Sequence, residues 1–176
     1  MRAIKITTDN LISIAEVPEP TWQGLGQLVG GRFEIVRPWG LYTLSTPYKT
    51  SLIMLVNEEG RIKGLDTNAT GTLLYNDTPA LKGVEPIVGD ILMVAEGFAN
   101  GEPDIVGLYD EQIITVWRAL KNKFRFLKEK QCRVCGCTDF EACPGGCYWV
   151  QDDLCSECNC IGLFEEIIES EDEDEQ

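Results

Sequence analysis

Residues 132–160 read CRVCGCTDFEACPGGCYWVQDDLCSECNC and hold all eight cysteines of a 176-residue chain that contains no histidine. Cys132 with Cys135 and Cys155 with Cys158 form two C-x-x-C pairs separated by 19 residues. That spacing is the one of a four-thiolate zinc ribbon. Gly136, directly after the second cysteine, lets the backbone turn so that amides aim at the thiolates, and Asn159 is expected to take the same left-handed conformation after Cys158. Cys137, Cys143, Cys147 and Cys160 are enough for a second tetrahedral site interleaved with the first, whereas a two-metal cluster with shared thiolates would distribute the same residues differently. One or two zinc ions are therefore expected. Gly145 and Gly146 provide a tight bend, and Tyr148, Trp149 and Val150 are the expected small apolar core. So short a segment cannot bury enough apolar area to fold alone, and structural zinc can supply about 10–16 kcal/mol of apparent binding energy.

Other thiol chemistries use the same residue type. Disulfides fit an oxidising compartment, but the N-terminal MRAIKITTDNLISIAEV has no uninterrupted apolar run of the kind an export signal needs. An iron–sulfur cluster is also held by thiolates, yet C-x-x-C-x-C departs from the C-x-x-C-x-x-C run of ferredoxins. A thioredoxin-like pair needs its C-x-x-C at the start of a helix in a βαβ setting, which this segment lacks. The missing histidine removes Ser-His and Cys-His nucleophile pairs, and an all-thiolate site leaves no position for activated water. The cysteines thus point to a closed structural centre in a protein that is not an enzyme.

Working outward, 44% apolar and 25% charged residues are the proportions of a soluble globular protein. No run of about 18 apolar residues appears, so no membrane span and a cytoplasmic location are expected. Charge is unevenly spread. Residues 1–131 carry 14 basic and 16 acidic side chains, net −2, and residues 132–176 carry one basic and 13 acidic, net −12. The last twelve residues, EEIIESEDEDEQ, repel one another and read as a disordered tail. The expected organisation is a body over 1–130, a cysteine module over 131–162 and an acidic tail over 163–176.

The body reads as α+β, with a small mixed or antiparallel sheet and one or two helices. MRAIKIT and ISIAEV alternate around Asp9 and Asn10, a hairpin signal. Thr21 can cap a short helix bearing Trp22, Leu25, Leu28 and Val29, ended by Gly30 and Gly31. The spacing in GLGQLVG is wrong for a dinucleotide-binding loop. RFEIV, SLIMLV, TGTLLY and IVGDILMVAE follow as strand candidates, SLIMLV being uniformly apolar as in a strand buried on both faces. Glu58 with Glu59 and Asp152 with Asp153 read as solvated turn charges, and the Asn-x-Thr sites at Asn68 and Asn76 as coincidence in a protein kept inside the cell.

Asp110 opens a helix in which Ile113, Trp117, Leu120, Phe124 and Leu127 fall on one stripe. KFRFLKE also alternates well enough to be a strand leading into the cysteines. Arg118, Lys121, Lys123, Arg125, Lys128 and Lys130 make a basic run with Trp117, Phe124 and Phe126 interleaved, which supports an alternative reading as a nucleic-acid binder. The acidic region that follows would compete for the same cations.

The segments MRAIKI, QLVGGRFEIV, LIMLVNEEGRIKGL and PIVGDILMV resemble a family of unknown function found in phages, plasmids and other bacterial mobile elements. CRVCGCTDFEACPGGCYWVQDDLCSEC resembles a short cysteine-rich element that recurs in phage-encoded proteins. These resemblances imply an accessory protein acting in the bacterial host cell, and carry over no catalytic residue. The expected partner is a host or phage protein, such as a defence nuclease, with the acidic end either imitating nucleic acid or serving only as a solubilising tail.

Overall fold

A computed structural model describes residues 1–17, 21–38, 50–76, 86–99 and 102–159. The chain divides into two compact units, Met1–Lys128 and Glu129–Gln176. The expected acidic tail and Cys160 lie outside the described residues.

The first unit is a mixed α+β fold. Strands β1 (Arg2–Ile6) and β2 (Leu11–Glu16) form the expected antiparallel hairpin, with Ile4 opposite Ile14. Its turn places Asn10 at φ 68°, a left-handed position that asparagine tolerates better than most residues. Helix α1 (Trp22–Leu28) is capped by the Thr21 hydroxyl, which accepts from the Gly24 amide at 3.0 Å. Strand β3 (Phe33–Val36) then pairs with β4 (Ser51–Asn57), and β4 pairs with β5 (Ile91–Ala99), both antiparallel. Helix α2 (Ala69–Tyr75) stands between β4 and β5 in the chain. Strand β6 (Glu102–Val106) folds back along the second half of β5, whose first half pairs with β1. After helix α3 (Asp110–Lys123), strand β7 (Lys128–Glu129) begins with the Lys128 amide donating to the Asn10 carbonyl at 2.8 Å. The sheet order is β3-β4-β5-β1-β2-β7, with β6 beside β5.

Alternation along the central strands sends side chains to two cores. Ile4, Ile6, Met54, Val56, Ile91 and Met93 join Leu74 of α2 and Ile113, Val116, Trp117 and Leu120 of α3. Ala3, Ile53, Leu55, Leu92 and Val94 meet Leu25 of α1, with Val29 and Phe33. The continuous apolar run in β4 is thereby explained, because helices cover both faces of the sheet and each fully buried aliphatic contributes about 1.5–3 kcal/mol. The stripe foreseen on α3 is buried throughout, with Phe124 and Leu127 extending it past the helix.

Two sequence expectations are corrected. TGTLLY is part of helix α2 instead of a strand, because the Asn68 side chain accepts from the Gly71 amide at 2.9 Å and starts a helix there. The strand expected over IVGDILMVAE starts only at Ile91, since Gly89 at φ 79° turns the chain and Val88 makes just an isolated bridge to Thr67. Asn68 is fully buried and donates to the carbonyls of Ile6 and Gly89, so it is a structural residue and offers no glycan acceptor. Glu58 and Glu59 sit in the turn after β4 and pair with Arg32 and Lys63.

Candidate metal centre

The second unit is organised by backbone turns around sulfur. The Cys132 amide donates to the Cys137 carbonyl at 2.9 Å, and the Gly136 amide to the Cys132 carbonyl at 2.9 Å. Gly136 adopts φ 79°, as the knuckle requires. Gly145 and Gly146 follow at φ 94° and 89°, with the Gly146 amide returning to the Cys143 carbonyl. Strands β8 (Trp149–Gln151) and β9 (Leu154–Cys155) form a hairpin whose turn holds Asp152 and Asp153. Arg133 binds that turn twice, its amide donating to the Asp153 carbonyl and its guanidinium pairing with the carboxylate. A helical turn at 156–159 carries Cys158.

These turns bring the thiols together. Cys132, Cys135, Cys137 and Cys155 have sulfurs all within 4.8 Å of one another, and so do Cys137, Cys143, Cys147 and Cys155. Individual Sγ···Sγ distances are 3.5 Å for Cys135–Cys143, 3.7 Å for Cys135–Cys155, 3.8 Å for Cys143–Cys155 and 3.6 Å for Cys137–Cys147. A disulfide would need about 2.05 Å, and the seven described cysteines are free thiols. Four thiolates about 2.3 Å from a tetrahedral ion stand about 3.8 Å apart, so the spacing matches a metal-binding donor set.

The electrostatics differ from thiol to thiol. The Cys135 amide, assisted by those of Cys155 and Val134, holds the Cys132 thiol down at about 5. Burial works against ionisation of Cys155, but the Cys158 amide and the neighbouring thiols outweigh it and lower it. Burial pushes Cys137 and Cys158 up, and a hydrogen bond with Cys135, then burial, pushes Cys143 up to about 12. Part of the cluster is thus poised as thiolate and the rest holds protons that a cation would displace.

Several expectations change at this site. Cys132, Cys135 and Cys155 do converge, but Cys137 stands with them in the tight group, and Cys158 is buried beside them. Tyr148 and Val150 are exposed and leave the apolar packing to Leu154, half-buried Trp149 and the cysteines themselves. The indole N–H of Trp149 donates to Asp139 at 2.8 Å, and the Lys130 ammonium lies 4.6 Å from the ring centroid. Asn159 lies in the helical turn and does not adopt a left-handed conformation. Periodicity in the sequence carries no signal for which thiols share a neighbour, because that depends on how the hairpin folds back over the first knuckle.

Most of the basic run is exposed, but not all of its interleaved aromatic residues are. Trp117 and Phe124 are buried in the core of the first unit and present no face on which a base can stack. Phe126 is 44% exposed. Arg118, Lys123, Arg125 and Lys128 are exposed, Lys121 donates to the Leu127 carbonyl, and Lys130 belongs to the second unit.

Comparison with known proteins places the first unit. A family model described as a domain of unknown function, DUF3846, matches residues 1–121. The chain belongs to the DUF3846 family. The matched DUF3846 residues include one core whole, the other except for Phe124 and Leu127, and α3 up to Lys121, and stop short of the cysteines. No curated protein and no solved structure matches the chain. No helix among the described residues is long and apolar enough to cross a membrane.

Proposed function

We propose that this DUF3846 protein is a non-enzymatic accessory protein of a phage or mobile element, working in the bacterial cytoplasm through contacts with a host or phage protein. Its cysteine-rich unit is a closed structural zinc module. The observation that carries this reading is the convergence of free thiols at tetrahedral spacing with only sulfur donors in the set. A donor set of this kind is filled by protein ligands, leaving no open position for substrate or activated water. A reducing cytoplasm keeps such thiols available for metal.

Protein partners are favoured over nucleic acid by two features. The cationic run has its aromatic residues Trp117 and Phe124 in the core. The segment from Cys132 onward carries net −12, which repels phosphates.

Elemental analysis and an absorption spectrum of the purified, reductant-protected protein test the metal assignment. Zinc without visible colour is the expected result, and iron with a brown absorbance would replace the structural reading with electron transfer. Fluorescence anisotropy with a labelled duplex tests the partner class. No binding is expected at low salt, and tight binding that falls steeply with added salt would establish the nucleic-acid alternative.

A further inference from the structure

A cluster of thiols can be opened by oxidation, and the seven described cysteines differ in their access to an oxidant. Cys135 is exposed, Cys143 and Cys147 are half-buried, and Cys132, Cys137, Cys155 and Cys158 are buried. Oxidation of sulfur follows exposure and thiolate character. Among the described cysteines, attack by a small oxidant therefore begins at Cys135.

Distance and freedom to move select its partner. Cys135 and Cys143 stand 3.5 Å apart, closer than Cys137 and Cys147 at 3.6 Å or Cys135 and Cys155 at 3.7 Å. A disulfide needs about 2.05 Å, so one sulfur must advance by about 1.5 Å. The segment carrying Cys143 has room for that shift: Glu141, Ala142, Pro144, Gly145 and Gly146 are all exposed, and a Cβ added at either glycine would meet nothing within 4 Å. Cys155 is fixed by its pairing with Trp149 in the hairpin, and Cys137 is buried with its carbonyl held by the Cys132 amide.

A bond between Cys135 and Cys143 has a consequence for the whole unit. Cys135 belongs to one of the two tight sulfur groups and Cys143 to the other, so the bond takes a donor from each, whatever the number of ions and wherever Cys160 lies. Apolar packing beyond the cysteines is limited to Leu154 and half-buried Trp149, and metal lost from such a unit is fold lost.

We propose that Cys135 and Cys143 form a redox switch, in which a peroxide-class oxidant joins them as a disulfide and the cysteine unit releases its metal and unfolds. The Cys135 sulfur attacks a peroxide oxygen, forming S–O as O–O breaks and one water leaves. The Cys143 sulfur then attacks the resulting sulfenic sulfur, forming S–S as S–O breaks and a second water leaves. Two thiols give up two electrons and two protons, and one peroxide becomes two waters; a metal-bound thiolate draws the corresponding proton from solvent. Metal release rests on the structural-metal reading above, whereas the pairing of the two sulfurs rests on exposure and distance.

The test treats the purified full chain, carrying its metal and freed of reductant, with hydrogen peroxide while a chromogenic chelator follows metal release. Free thiols are then alkylated, disulfides are reduced, and the newly freed thiols receive a second label. Cleavage after acidic residues separates Cys135 from Cys143 at Glu141, and fragmentation of the peptides locates the label. The second label is expected on Cys135 and Cys143, rising in step with metal release, and dithiothreitol with added zinc should reverse both. Because Cys135→Ser and Cys143→Ser each remove a donor as well as a redox partner, labelling of the unaltered chain decides the pairing.

A first disulfide between Cys137 and Cys147, or one that includes Cys160, would overturn the switch. So would metal release with sulfinic acids and no second label, or full retention of metal in excess peroxide. A purified chain without thiophilic metal would instead remove the structural-metal reading and the release step with it, and the labelling would still decide which sulfurs pair.

Discussion

Replacing Asn68 with alanine should destabilise the first unit far more than its small change in volume implies. The side chain is fully buried and makes three hydrogen bonds: Nδ2 donates to the Ile6 carbonyl at 3.0 Å and the Gly89 carbonyl at 3.2 Å, and Oδ1 accepts from the Gly71 amide at 2.9 Å. It therefore ties the end of β1, the turn before β5 and the start of α2 to one point. Each net hydrogen bond contributes about 1 kcal/mol, more where a buried partner is left unsatisfied, and loss of an N-cap costs about 1 kcal/mol. Because the Gly71 bond is the cap itself, the expected loss is about 3–4 kcal/mol. In a domain of this size that corresponds to about 10–15 °C in Tm.

Urea unfolding followed by circular dichroism, at fixed zinc concentration, measures this loss as a lower midpoint with an unchanged slope. Asn68→Asp is a sharper control. It keeps the acceptor for Gly71 but sets a carboxylate against two carbonyl oxygens, which raises its pKa in the folded state. Its stability should consequently improve as the pH falls and the protonated acid regains a donor. An Asn68→Ala loss below about 1 kcal/mol would refute the view that these three bonds hold the turn.

Other perturbations address the two units separately. Chelation should abolish protection of backbone amides from hydrogen exchange in residues 132–159 while those of β4 and β5 stay protected, because the second unit has little apolar packing beyond its cysteines and Leu154; equal loss in both units would contradict this. Metal affinity should rise with pH, with protons released on binding, since Cys137, Cys143 and Cys158 are held above the ordinary thiol range and must ionise, whereas Cys132 at about 5 is already a thiolate near neutrality. Calorimetry in buffers of different ionisation enthalpy reads this release, and an affinity independent of pH near neutrality would count against it. Gly26→Ala should cost about 1–3 kcal/mol in thermal unfolding, because a Cβ there meets the Gly31 carbonyl oxygen at 2.6 Å, a backbone atom that cannot swing away. Trp149→Phe keeps a ring beside Lys130 but loses the bond to Asp139, so the module should retain its metal and release it faster to a competing chelator.

Patterns carried by neighbouring residues were legible before any coordinates. The alternation around Asn10 specified a hairpin, the apolar run at 51–56 a strand covered on both faces, and the stripe from Ile113 to Leu120 a helix, although the helix stops at Lys123, before the Phe124 and Leu127 that the stripe also took in. The cysteine spacing with Gly136 specified a metal-type knuckle at Cys132 and Cys135. Each is a local property, expressed in periodicity, turn residues or ligand spacing.

Tertiary structure decided the rest. The segment at 69–75 has strand-like composition but becomes helix because buried Asn68, anchored by Ile6 and Gly89 from distant parts of the chain, caps it. Polar β6, with Pro103 within it, is a strand because the second half of β5 offers it an unpaired edge. Of the aromatic residues within the basic run, Trp117 and Phe124 went to the core, whereas Phe126 stayed at the surface. Which sulfurs stand within reach of one another was set by the hairpin returning Cys155 to Cys135 and Cys143, since a thiol's neighbours are fixed by long-range closure and leave no periodic mark on the sequence.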